Sequence, residues 1–261
     1  MDNLAGLVEG PQIARLRSWL ARHWIPPTVH ADGPEKEPSG NLSDLSAAKV
    51  DLMLEVPVDQ LPVLRDRGWN RWLAGSTLGM ALAWWLVLQL VGLAAWPVAA
   101  RVFSGFADKG YALSKGLGLL IVGYCVWLGS SLRLFMNSPP VAWLALLGLG
   151  GCSFFLLRRR SADLRALWGD LQGRKLILLE EALFTLAFAV FVGLRVLNPD
   201  LWQPWFGGEK MMEIAFLNAI SKSAYMPPYD PYFAGGYINY YYYGLFLVSL
   251  LIKLTGCVPE V

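Results

Sequence analysis

The stretch WLAGSTLGMALAWWLVLQLVGLAAWPV, residues 72–98, contains no charged side chain. A membrane-spanning helix needs about 20 mainly apolar residues, and this stretch is long enough. Three similar runs follow at 115–135, 141–157 and 176–197, and another begins at 244. The chain is 55% hydrophobic and only 16% charged, whereas soluble proteins carry about 25% charged residues. The sequence therefore predicts an all-α, polytopic transmembrane protein.

The composition also excludes other classes of protein and divides the chain. The 22 basic residues nearly balance the 20 acidic ones, so we expect no nucleic-acid partner. Three scattered Cys are too few for a disulfide scaffold or a zinc site. We predict a polar, largely irregular N-terminal tail at 1–71, four membrane helices within 72–197, a long loop at 198–243, and the start of a fifth membrane helix at 244–261.

Basic residues in the short loops predict the orientation in the membrane. The segment 99–114 contains Arg101 and Lys109, and the segment 158–175 contains six Arg and Lys, whereas the turn 136–140 contains none. Both basic segments should therefore face the cytoplasm. This orientation places the loop 198–243 on the outer face of the cell membrane, together with the N-terminal tail, although Arg65, Arg67 and Arg71 oppose that placement of the tail.

The loop reads NPDLWQPWFGGEKMMEIAFLNAISKSAYMPPYDPYFAGGYINYYYY, residues 198–243. Long ordered loops are usually functional, and residues 209–221 should form one short helix. Glu209 and Glu213 lie four residues apart and share a helix face. Phe216 and Ile220 continue this face, so it should turn inward. Two inward carboxylates need a partner such as a divalent metal, Lys210 or a substrate hydroxyl. The alternative is that the helix dipole stabilises Glu209 and that Glu213 is merely solvated.

A proline-rich strap follows the predicted helix. Its prolines restrict the backbone of residues 227–231 and should hold Asp230 rigidly. Tyr240–Tyr243 then lead into the fifth apolar run. Tyrosines at a membrane surface are ordinarily anchors, but four in succession cannot all face one way, so some should contact protein or stack on a sugar ring.

Other charges fall close to the ends of the predicted helices. Arg133 and Arg195 should lie near the outer surface, where a lipid phosphate or Asp200 would pair with them. Glu180 and Glu181 lie near the opposite end of the fourth helix, and we expect interfacial salt bridges there with Arg174 and Lys175.

Several motifs resemble the membrane-protein family named for its Tyr-Tyr-Tyr motif, found in Chloroflexi and archaea and also called DUF2298. The resemblance covers roughly residues 67–261. Two departures are visible: Glu213 stands where the family has Asp, and Met211 varies the position after Lys210. The matching pieces are RVLNPD (195–200), GGEK (207–210), AFLNAI (215–220), PPYDPYFAGGYINYYYY (227–243), DKGYALSKGLGLLIVGYCVWLGSSL (108–132) and EEALFTLAF (180–188).

That family is similar to the GT-C class of membrane glycosyltransferases. The resemblance implies contact with membrane lipid and transfer of a sugar, at the outer face, from a donor in which the sugar is linked to a polyprenyl phosphate. It implies Glu209 as catalytic base or as ligand of a divalent metal (Mg or Mn), with Asp230 and Glu213 as supporting acids. The implied contacts to substrate are Lys210, Arg195, Arg133, Asp200, Tyr237, Asn239, Tyr240 and Tyr241.

Members of this family continue through many more helices, so we expect this chain to be part of a larger or split protein. The alternative function is a non-enzymatic multi-pass membrane protein, either a transporter or an assembly partner. Transporters place charges at mid-membrane, and no such charge is evident in the sequence between 122 and 129 or between 182 and 193.

Overall fold

The computed structural model describes residues 53–54, 56–64, 68–70, 72–73, 76–197, 209–233 and 235–257, and within these it describes 159–169 and 209 by their backbone alone. The described residues form helices and isolated bridges but no strand, which confirms the all-α prediction. Four helices are long and apolar enough to cross a membrane. In chain order the helices are α1 (Thr77–Val102), α2 (Tyr111–Ser131), α3 (Pro139–Gly169), α4 (Leu171–Leu197), α5 (Glu209–Lys222) and α6 (Tyr242–Thr255).

The hairpin of α1 and α2 is packed through glycine. A Cβ atom at Gly118 would lie 2.7 Å from the Val91 carbonyl oxygen and 2.8 Å from the Ala95 Cβ. At Gly92 the nearest atom to such a Cβ would be Lys115 Cγ, at 2.7 Å. Small residues let membrane helices approach this closely, so that backbone and side-chain atoms gain van der Waals contact.

The basic segment 158–175 is helical. Helix α3 continues through the arginines to Gly169, and α4 begins at Leu171. Arginine is a good helix former, so the loss of hydrophobicity at residue 158 does not end the helix. Asp170 makes the break, and its carboxylate accepts a hydrogen bond of 3.0 Å from the Gly173 amide. The chain therefore reverses direction within one residue rather than through a long loop.

The four long helices define two ends. We call the end where α1 and α3 begin and α2 and α4 finish the Asn137 end, after the residue between α2 and α3, and the opposite one the Asp170 end. Helix α6 starts at the Asn137 end, where Trp127 Nε1 donates to Tyr242 Oη at 2.9 Å. Its last turn is at the same end, because Trp69 Nε1, just before α1, donates to the Lys253 carbonyl at 2.9 Å.

Helix α6 therefore differs from the expected fifth membrane-spanning helix. It has 14 residues, about 21 Å at 1.5 Å per residue, which is short of the roughly 30 Å hydrocarbon core. Both of its ends contact the Asn137 end, so it packs into the bundle from that end. Its fully buried side chains lie in one core with side chains of α1, α2 and α5; that core includes Val91, Val122, Val126, Ile220, Phe246, Leu250 and Leu254.

The described part of the predicted tail also lies at the Asn137 end. Leu54 N donates to the Gly235 carbonyl at 2.8 Å, and Leu64 N donates to the Lys222 carbonyl at 2.8 Å. Isolated antiparallel bridges pair Met53 with Gly236 and Val63 with Ser223. The described residues of this segment thus contact the end of α5 and the chain that follows it, at the same end of the bundle. Residues 1–52 lie outside the described part.

We predict that Gly118→Ala destabilises the protein by about 1–3 kcal/mol, the usual cost of overpacking, because the new methyl group meets the Val91 backbone. The measurement is the midpoint of thermal unfolding in detergent. Gly116→Ala is the matched control on the same helix, since nothing lies within 4 Å of a Cβ there. Equal midpoints for the two variants would show that α1 and α2 are not in close contact.

Candidate functional site

The C-terminal end of α5 is anchored to the bundle. The last carbonyls of a helix have no partner within it, and here other elements supply donors. Asn137 Nδ2 donates to the carbonyls of Ile220 and Ser223 at 3.2 and 3.4 Å. Lys253 Nζ donates to the Ser221 carbonyl at 2.9 Å, and Ser221 Oγ lies 2.9 Å from Ser249 Oγ. The position of α5 is therefore fixed by both the α2–α3 turn and α6.

The first turns of α5 face the end of α4 across a cavity of about 450 Å³, which we call the charged cavity. Three residues that the sequence nominated line it: Arg195 from α4, and Lys210 and Glu213 from α5. Glu209 is the first residue of α5, but its side chain lies outside the description, as does all of Asp200. The remaining lining is apolar: Leu194, Ile214, Leu217 and Leu245.

An apolar groove of about 380 Å³ adjoins the charged cavity. It runs between α1 and α4, with Trp84 on one side and Phe188 and Phe191 on the other. Arg195 and Leu217 line both spaces. The arginine therefore lies at a junction between a space with charged walls and a space with hydrocarbon walls.

Arg133 lies elsewhere, in what we call the Arg133 cavity, with a volume of about 410 Å³. Lys222, Tyr229 and Tyr237 also line it, and residues from 56 to 63 form another part of its wall. The sequence treated Arg133 and Arg195 as one pair of phosphate contacts. The structure places them in different cavities: Arg133, just after α2, lines the Arg133 cavity, whereas Arg195, in the last turn of α4, lines the charged cavity.

Asp230 shapes the strap. Its Oδ1 accepts hydrogen bonds from the amides of Tyr232 at 2.8 Å and Phe233 at 3.2 Å. The Asp230 amide in turn donates to the Gly236 carbonyl at 2.9 Å. The carboxylate thus holds a turn of its own backbone, a common role for Asp. Its candidacy as a supporting acid has no contact in the described structure that favours it.

The tyrosine run divides between the interior and the surface. Tyr242 accepts its hydrogen bond from Trp127, and the Tyr243 ring packs edge-on to Trp127 at 6.1 Å. Burial raises the pKa of both phenols, so they stay protonated near neutral pH. Tyr240 and Tyr241 are 52% and 88% exposed, and Asn239 is exposed as well. Within the described run 239–243, these three residues are the exposed ones.

A polar cluster inside the membrane-spanning part was missed by the sequence. The Glu181 carboxylate accepts hydrogen bonds from Lys115 Nζ at 2.8 Å, Gln89 Nε2 at 2.6 Å and Tyr111 Oη at 2.9 Å. We expected Glu181 to pair with Arg174 and Lys175, and the structure pairs it with Lys115 instead. The available signal was Gln89, a polar residue near the middle of an otherwise apolar run.

The described residues do not assemble a metal site. Among them, no group of three or more His, Cys, Asp and Glu is placed to hold an ion. Glu213, one helical turn after Glu209, is the described carboxylate nearest to it along α5. A divalent metal at Glu209 would need ligands beyond this set, so the chemistry of the charged cavity is argued below from its own side chains.

Comparison with known proteins identifies a family. A family model described as "Uncharacterized membrane protein (DUF2298)" matches residues 121–261, more than half of the chain. This match confirms the resemblance to that family. Neither the curated proteins nor the solved structures include a match to the chain.

We predict that Lys253→Met destabilises the protein by about 1–3 kcal/mol, because the buried Ser221 carbonyl loses its donor. The measurements are the thermal unfolding midpoint and the rate of amide hydrogen exchange along α5, which should rise. Lys175→Met, which removes an exposed lysine of α4, is the control and should change neither. Unchanged exchange in the Lys253 variant would mean that α6 does not hold α5.

Proposed function

We propose that this chain, which belongs to the DUF2298 family of uncharacterized membrane proteins, is a GT-C-like glycosyltransferase. It takes a sugar from a polyprenyl-phosphate-linked donor at the outer face of the cell membrane. The observation that carries the proposal is the position of Arg195, at the junction of the charged cavity and the apolar groove.

A polyprenyl phosphate combines an anion and a long hydrocarbon chain. The charged cavity provides the cations Arg195 and Lys210 for the anion, and arginine suits phosphate because its planar group donates two parallel hydrogen bonds. The apolar groove provides Trp84, Phe188 and Phe191 for the hydrocarbon. Because the two spaces share Arg195, one amphiphile would fill both.

The first turn of α5 suits the same ligand. Amide groups at a helix start have no intrahelical acceptor and attract anions, and the start of α5 is at the charged cavity. Its carboxylates supply the base. Glu209 takes the proton of an acceptor hydroxyl, whose oxygen attacks the anomeric carbon while the bond to the phosphate oxygen breaks. The phosphate leaves with the electron pair, and Arg195 and Lys210 stabilise its charge.

The proposed orientation rests on the basic residues. Arg101, Lys109 and the bases of 158–175 lie towards the Asp170 end, which therefore faces the cytoplasm by the positive-inside rule. The Asn137 end, with all three cavities, then faces outward. The described residues before α1 lie at the same end as the loop, so the tail and the loop share one side of the membrane in this proposal.

We predict that Glu209→Gln lowers the rate of sugar transfer by about 10²–10⁴-fold, the usual contribution of a general base. The assay follows release of the labelled sugar from a polyprenyl-phosphate-linked hexose by the protein in lipid nanodiscs. Arg195→Met should instead raise the KM for the donor, since it removes a phosphate contact.

The controls are two conservative changes at the Asp170 end. Asp170→Asn keeps the helix cap, because Asn caps as well as Asp, and Arg101→Met removes an exposed cation from the last turn of α1. Both should transfer sugar at the normal rate. Undiminished transfer by a normally expressed Glu209→Gln protein would rule out the assigned base.

A transporter is the second candidate function, and the Glu181 cluster favours it. Gln89 lies near the middle of α1, so the cluster reaches deeper than the interfacial salt bridge that we expected. Ionisable residues within a membrane often mark an ion pathway.

Proton flux separates the two candidates. We expect no flux into proteoliposomes that carry a pH dye and a potassium diffusion potential. Glu181→Gln should lower the unfolding midpoint but leave transfer of sugar intact, because the cluster holds helices together rather than touching the donor. Flux through the normal protein that disappears in Glu181→Gln would favour the transporter.

A further inference from the structure

The Arg133 cavity is built by four separate parts of the chain. Residues from 56 to 63, the end of α2, the end of α5 and the strap each provide part of its wall. Two of these parts, the segment before α1 and the end of α5, are joined by backbone hydrogen bonds from Leu64 to Lys222 and from Ala224 to Pro62, 2.8 and 3.3 Å long. The cavity is therefore a product of the tertiary structure and not a gap beside a single loop.

Arg133 has a backbone conformation that favours glycine. Its φ is +56°, and the next amide, Leu134 N, donates back to the Gly129 carbonyl at 2.9 Å. This is the left-handed end of a helix, where glycine is the usual residue. An arginine there costs stability, and non-glycine residues with such a backbone are concentrated at functional sites. The backbone of Arg133 therefore marks this position as a candidate functional site.

The lining combines charge with ring-stacking surface. Arg133 and Lys222 provide two cations, and Tyr225, Tyr229 and Tyr237 provide aromatic rings among aliphatic side chains. A guanidinium and an ammonium together suit a phosphate dianion. A volume of about 410 Å³ lies within the range of small-molecule sites, about 300–1,000 Å³.

We propose that the Arg133 cavity binds the phosphate-bearing end of a phosphorylated sugar or lipid and is an anion site separate from the charged cavity. The separation is geometric, since Arg133 and Lys222 line one cavity whereas Arg195 and Lys210 line the other. We assign this ligand as the acceptor of the transferred sugar. That assignment rests on the proposed function, whereas binding of the ligand does not.

The test uses the complete chain in phosphatidylcholine nanodiscs and follows the thermal unfolding midpoint. One arm titrates glucose 1-phosphate, and the other replaces part of the phosphatidylcholine by phosphatidic acid. We expect one arm to raise the midpoint, and that arm identifies a free or a lipid-borne phosphate. Arg133→Gly and Lys222→Met should each need at least about tenfold more ligand for the same rise, since each removes a charge-assisted hydrogen bond.

Arg133→Gly also separates binding from folding. Glycine relieves the left-handed backbone, so without ligand this variant should unfold at the same or a higher temperature than the normal protein. Lys109→Gly is the matched control: Lys109 is a cation with φ +53°, but it lies at the Asp170 end, and its variant should respond to ligand normally.

No rise of the midpoint in either arm, or an Arg133→Gly response equal to that of the normal protein, would overturn the proposal. Neither measurement involves sugar transfer or a polyprenyl donor. A protein that binds in this test but fails to transfer sugar would therefore refute the proposed function and leave the anion site standing.

Discussion

The Asn137 end of the molecule depends on the buried ammonium group of Lys253. Its side chain is only 6% exposed, and a buried cation is costly unless it is paired. The C-terminal end of α5 supplies the partner, because the unsatisfied carbonyls of a helix end carry partial negative charge and the Ser221 carbonyl accepts from Lys253. This contact explains why the last apolar run contains a lysine. It also fixes α5 against α6, and the walls of all three cavities include residues of one or both of these segments.

Helix α4 is attached to the bundle by different means. Only 6% of its apolar window is buried inside the described structure, and in lipid there is little hydrophobic force to draw one helix onto another. Polar contacts replace that force: Trp85 Nε1 donates to Thr185 Oγ1 at 3.2 Å, and four turns of helix below Arg195 the Glu181 carboxylate gathers Gln89, Tyr111 and Lys115. These bonds hold α4 against α1 and α2.

The sequence predicted what depends on local composition and failed where distant residues meet. Four apolar runs identified the four long helices, and residues 209–221 were expected to form the helix observed at Glu209–Lys222. The last run forms a helix of 14 residues, and its contact with α5 through Lys253 and Ser221 could not be predicted, because an apolar stretch looks alike whether it crosses a bilayer or packs inside a bundle. Similarly, Glu181 meets Lys115 across 66 residues, whereas its neighbours in sequence offered Arg174 and Lys175. The separation of Arg133 from Arg195 also arises from tertiary structure, since both are simply cations near helix ends in the sequence.

The two cavities that we propose to bind anions lie at opposite ends of α5, and their spacing constrains any ligand that would connect them. Lys222 at its end and Glu213 near its start are separated by about 13 Å at 1.5 Å per residue. A ligand held by Arg133 and Lys222 would have to extend along α5 to reach the charged cavity. An acceptor would need a second sugar or a comparable spacer, lying along α5. Midway along α5, Phe216 packs against Tyr232 and Tyr240 with ring centroids 5.8 Å apart in both pairs, and both tyrosines are exposed. Aromatic rings of this kind stack on sugars, so these exposed tyrosines would suit the extended acceptor that the proposal requires.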